Sequence, residues 1–142
     1  MNQLRIFALT FAGLSSVALA KPAGEERWRA ASTTATSITG DIRLSPTRLL
    51  AAGQVIAVTV AADLPAYSSI NGTFPARVLK VVKPRKVTMK NGNDFGCNAP
   101  VRWIVVYRQG DRNSLGMEVY EGSAMPRSSD DDGFCANYGY YR

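Results

Sequence analysis

Residues Gln54–Asp63 read QVIAVTVAAD. Ile56, Val58 and Val60 recur at every second place, with the smaller set Val55, Ala57, Thr59 and Ala61 between them. That two-residue period is the side-chain alternation of a strand, with one large apolar face and one lesser face. Leu115–Gly122 repeats it, setting Leu115, Met117 and Val119 against Gly116, Glu118 and Tyr120. One apolar and one mixed face describe an antiparallel sheet buried on one side.

Working outward, short β-branched and aromatic runs continue along the chain, and no apolar period of 3.6 is sustained. Strands are predicted near Trp28–Ile38, Asp41–Ser45, Arg48–Ala51, Gln54–Asp63, Phe74–Lys83, Lys86–Lys90, Val101–Arg108, Leu115–Gly122 and Phe134–Tyr141. Between them lie turn signals: Thr39-Gly40-Asp41, Ser45-Pro46, Ala52-Gly53, Asn71-Gly72, Asn91-Gly92-Asn93 and Gln109-Gly110-Asp111. Asn-Gly is the strongest of these, since both residues accept positive φ. The fold class expected is all-β, a small antiparallel barrel or sandwich of about eight strands. A membrane barrel is disfavoured, because its strands need about 9–11 residues and a continuous apolar outer band. The apolar stretch Leu49–Ala62 is too short for a membrane helix, and Gly53, Gln54 and Thr59 interrupt it.

The chain opens with Arg5 as the one charge before an apolar run, Ile6–Leu14, and then Ala18-Leu19-Ala20. Small residues at Ala18 and Ala20 after such a run are the pattern of a secretory signal peptide cleaved after Ala20. Residues 1–20 are therefore expected to be a leader and 21–142 a single β domain, periplasmic or secreted. Without the leader, 16 basic residues face 11 acidic ones. That excess biases the protein toward anionic partners and says nothing about fold.

Two cysteines, Cys97 and Cys135, are present. An even count in an exported chain is expected to form a structural disulfide. The separation is unlike a redox Cys-x-x-Cys pair, and with no histidine a zinc site lacks ligands. The absence of histidine also excludes Ser-His and Cys-His nucleophiles. Glu118 and Glu121, three apart on a strand, point to opposite faces and do not form a glycosidase pair. Asp130-Asp131-Asp132 lacks the spacing of a calcium loop and reads as a solvated loop. No catalytic residue, metal or cofactor is predicted.

The most unusual local feature is a basic run: Arg77, Lys80, Lys83, Arg85, Lys86 and Lys90, with no acidic residue from Phe74 to Gly92. If Lys83-Pro84-Arg85 is a bend, the flanking strands hold these charges together as an anion-binding patch. The alternative is a solvated sheet edge, where lysines and a proline discourage strand addition. Trp28, Trp103, Tyr107, Tyr120, Phe134, Tyr138, Tyr140 and Tyr141 are expected mainly in the core, Trp103 and Tyr107 sharing a face with Val105.

Ser37–Pro46, Cys97-Asn98-Ala99-Pro100-Val101 and Gly133-Phe134-Cys135 together resemble small uncharacterised exported proteins of Gram-negative bacteria. The resemblance implies a periplasmic location and carries no activity to any residue. The general form is also similar to periplasmic lysozyme inhibitors, although their Ser-Gly-x-x-Tyr signature is absent here. The expected function is non-catalytic binding to anionic envelope components or to a secreted protein. The alternative is inhibition of a secreted cell-wall hydrolase, with a histidine-free hydrolase behind it. Export makes nucleic acid an unfavoured partner, and no transmembrane segment is expected.

Overall fold

The computed structural model describes residues 22–142. The predicted leader, with Ala18 and Ala20, lies outside them. Eight strands run β1 (Glu26–Ala30), β2 (Ile42–Leu44), β3 (Arg48–Ala51), β4 (Gln54–Ser69), β5 (Gly72–Val81), β6 (Trp103–Arg108), β7 (Ser114–Tyr120) and β8 (Phe134–Tyr141). Each pairs antiparallel with the next, and β8 returns to β1, so the sheet closes as a barrel. Of the two architectures expected, closure selects the barrel, which leaves no free edge. Among the described residues, no helix is long and apolar enough to cross a membrane.

The interior core takes the inward residues of all eight strands, among them Trp28, Leu49, Leu79, Ile104, Met117 and Tyr140. Two segments close one end of the barrel. The first corrects the expected strand Trp28–Ile38: β1 stops at Ala30, and Thr33–Ile38 is a helix, α1. Its β-branched residues suggest a strand, but the Ser32 hydroxyl accepts the Ala35 N–H and starts a helical turn. Ala35 is then wholly buried against the core, and Thr39 bonds the Tyr140 hydroxyl at 2.7 Å. Gly40, at φ +62°, turns the chain into β2.

The second segment is the long connection from β5 to β6, which drives Val87, Met89, Phe95 and Val101 into the interior core. The expected strand Lys86–Lys90 is not formed. That stretch makes one bridge, Thr88 to Asp94, and a 3-10 turn over Lys90–Gly92. Asn91 and Gly92 take the positive φ their types allow, 58° and 74°. With the chain turned there, Lys90 and Asn93 donate to the carbonyls of Thr36 and Ser37 at the end of α1. Capping those carbonyls outweighs strand pairing here. Cys97 is bonded to Cys135, tying this connection to the start of β8.

β4 continues past the expected Asp63 to Ser69, and two bulges bend it. Ala61 is extra between the Val60–Leu79 and Ala62–Val78 pairs, and a second irregularity separates Leu64 from Tyr67. One extra residue reverses which face later side chains take. Ile56 and Val58 therefore point inward, whereas Ala62, Leu64 and Tyr67 join a second cluster on the outer face. That cluster contains Val78, Trp103, Val105, Tyr107 and Tyr120. The mixed face of β7 is thus covered, and the sheet is buried on both sides there rather than on one. Trp103 and Tyr107 are core residues, as their type suggests, but of this outer core.

Glu118 lies at the centre of the covered face with no exposed surface. It accepts hydrogen bonds from the Tyr67 hydroxyl (2.7 Å), the Tyr107 hydroxyl (2.9 Å), the Asn137 amide (2.9 Å) and the Ile70 N–H (3.1 Å). Tyr67 also bonds Tyr120. Gly116 is what lets Tyr107 lie across β7, since a Cβ there would come within 2.2 Å of its ring. Two stability outcomes follow from this arrangement. Replacing Cys97 and Cys135 by serine should remove about 4 kcal/mol on the chain-entropy account, read as a lower denaturant midpoint. Glu118→Ala orphans several buried donors and should cost roughly 3 kcal/mol or more by the same measurement.

Candidate anion-binding surface

The six cations of the basic run do not form one patch. Arg77 is on the inward face of β5 at the uncapped mouth of the barrel and is paired with Asp63 at 2.7 Å. Its charge is neutralised there, and the Arg77 guanidinium holds the Asp63 carboxyl below its ordinary value. Lys80 points to the opposite face, with its ammonium 5.8 Å from the centre of the Trp103 ring. Lys90 is held against α1 through the Thr36 carbonyl. Only Lys83, Arg85 and Lys86 stay together, exposed where the chain leaves β5. The run is contiguous in sequence, but strand alternation and the 3-10 turn separate its members.

A different set of cations is brought together by the sheet. On β1, Glu26 and Trp28 face inward, so Arg27 and Arg29 face out; on β2, Ile42 and Leu44 are buried and Arg43 faces out. Register places Arg27 directly opposite Arg43, and Arg29 opposite Tyr141. Among the described residues, none of these three arginines has a carboxylate within ion-pair distance. Other arginines at the sheet are spent: Arg48 on Glu25, and Arg108 and Arg142 on Glu26, where both also cover the Trp28 ring. A shallow groove of about 910 Å³ runs over this face, lined by Arg27, Arg29, Asp41, Arg43, Leu50 and Tyr141, with the Asp41 carboxylate accepting the Ala30 N–H.

Like charges directly opposed across a strand pair are destabilising, by about 0.2–1 kcal/mol in magnitude. The fold gains nothing from Arg27 beside Arg43. The signal was present in the sequence as Glu26-Arg27-Trp28-Arg29 and Ile42-Arg43-Leu44, an alternation of buried and basic residues. It was not legible as a patch, because nothing local says that the two segments pair at Arg27 and Arg43.

Other clustered groups are committed to structure. The atoms of Cys97, Cys135 and Glu121 come within 4.8 Å of one another, but both sulfurs are used in the disulfide and Glu121 accepts the Ala99 N–H. Asp131 closes its own loop by accepting the N–H groups of Arg127 and Ser128. Around Glu118, burial foremost raises the hydroxyls of Tyr67, Tyr107 and Tyr120 above their ordinary value, and the Glu118 carboxylate adds to it. Burial likewise raises Tyr138 and Tyr140 in the interior.

These five tyrosines stay protonated in the fold while unfolded tyrosines ionise near pH 10. A pKa raised by folding contributes stability that is complete below the unfolded value and is lost progressively as pH rises from there through the folded value. Thermal unfolding should therefore shift steeply downward above about pH 10. Tyr67→Phe should flatten that alkaline limb.

Comparison with protein-family models, with curated proteins and with solved structures finds no match to this chain.

Proposed function

We propose that this is a non-catalytic binding protein of the bacterial envelope that holds anionic groups on the Arg27–Arg29–Arg43 face. The carrying observation is the pairing of Arg27 with Arg43 on an open face where, among the described residues, neither forms an ion pair and the neighbouring Asp41 is bonded to the Ala30 N–H. Three guanidiniums projecting from a rigid sheet offer a preformed fork for phosphate or carboxylate oxygens. Unpaired cations over a groove also attract anions at long range. A periplasmic or secreted setting agrees with the leader-like residues 1–20 and with the disulfide, and it makes phosphorylated or carboxylated envelope components the natural ligands rather than nucleic acid. The anion site lies on the β1–β2 face rather than along the predicted run Arg77–Lys90, with Lys83, Arg85 and Lys86 as outlying cations.

Inorganic polyphosphate titrated by calorimetry tests the face. The variant Arg27→Gln/Arg29→Gln/Arg43→Gln should bind roughly tenfold or more weakly, given the modest worth of each exposed charge pair. It should also be slightly more stable than the parent at low salt, because the like-charge pair is gone. Unchanged polyphosphate affinity in the triple variant would refute the proposal.

A further inference from the structure

Beside the arginine face, the row Arg43–Leu50–Val55 runs across β2, β3 and the start of β4. Where that row ends lies a second cleft of about 340 Å³. Its walls are Val55, Val82, Val87, Phe95 and Val101, and its lip carries Lys83 and Arg85. Inside it reaches the interior core, since Val87, Phe95 and Val101 belong to that core. At the lip, Val55 and Val82 are 52% and 51% exposed, an unusual loss of burial for two valines so close together. No carboxylate lines the cleft. Arg85 donates only to the Val55 carbonyl, at 3.4 Å, and Lys83 and Lys86 make no ion pair among the described residues.

An apolar slot with a cationic lip has the chemistry of an amphiphile site. A ligand needs one end that gains by leaving water and one that pairs with a cation. A soluble anion uses only the lip, and a neutral apolar molecule leaves Lys83 and Arg85 unanswered. The slot is at the small end of ligand-cavity sizes, about 300–1,000 Å³, which suits one alkyl chain rather than a ring system. We infer that the cleft between Val55, Val82 and Phe95 seats the alkyl chain of an anionic amphiphile whose head group rests on Lys83 and Arg85. The cleft is a second site beside the arginine face of the anion-binding reading, and it extends that reading from soluble anions to anionic amphiphiles.

A series of alkyl phosphates from butyl to decyl, each below its micelle concentration, tests it on the mature chain by calorimetry and amide chemical shifts. Affinity should rise about fourfold per added methylene until the slot is filled, which is the gain for burying one CH₂. The largest shifts should fall on Val55, Val82 and Val87. Val82→Glu and Val55→Glu change half-exposed side chains, so both should fold with unaltered circular dichroism. Each should bind decyl phosphate at least tenfold more weakly and bind polyphosphate as the parent does. Decyl maltoside, with the same chain and no charge, should bind far more weakly than decyl phosphate.

Affinity independent of chain length, full decyl phosphate binding by the glutamate variants, or equal binding of decyl maltoside would each overturn the inference. If polyphosphate still binds in those cases, the anion-binding reading survives alone. If neither polyphosphate nor decyl phosphate binds, both fall.

Discussion

A carboxylate with no exposed surface and, among the described residues, no ion pair organises the outer half of this protein. Glu118 is held by two tyrosine hydroxyls, an asparagine amide and the Ile70 N–H. Burying an ionised group costs several kcal/mol unless its oxygens are satisfied. Here the four donors come from three parts of the chain: Tyr67 and Ile70 from the β4–β5 hairpin, Tyr107 from β6 and Asn137 from β8. The carboxylate is satisfied only when all are in place, so it couples the hairpin's position to the closure of the barrel. The two bulges in β4 bend the hairpin toward this point, and Gly116 clears the space across which Tyr107 reaches.

The same closure decides where the charges go. Because every strand has an inward face, each basic residue is assigned by parity to the interior mouth or to the outer surface. Arg77, Arg108 and Arg142 fall at the mouth and find Asp63 and Glu26. Arg27, Arg29 and Arg43 fall outside and, among the described residues, form no ion pair, the nearby Asp41 being engaged with the Ala30 N–H. An unpaired cation on a rigid strand is costly only to itself and available to a ligand. This separates the arginines that serve the fold from those that carry the proposed binding.

The two ends of the barrel differ for a related physical reason. One end is closed by α1 and by the connection carrying Cys97, each bringing apolar residues into the core and each tied down by polar bonds to the other. Beside that closure, the cleft lined by Val55, Val82 and Phe95 sets core residues next to the exposed cations after β5. Apolar depth and positive charge come together in that cleft.

By itself the sequence determined the strand-rich class, the disulfide pairing, most strand positions and the aromatic core. These follow from alternation, cysteine count and side-chain chemistry, all readable within a few residues. Arg48–Ala51 and Phe134–Tyr141 are found where alternation and turn residues place them. Only the tertiary structure decided what depends on residues far apart in the chain. Ser32 and the burial of Ala35 turned an expected strand into α1. Bulges in β4 reversed its parity and covered the face of β7 that alternation assigns to solvent. Register alone set Arg27 against Arg43, while the contiguous run from Arg77 to Lys90 was dispersed. Proximity along a chain is a poor guide to proximity across a sheet, because successive side chains on a strand point to opposite faces.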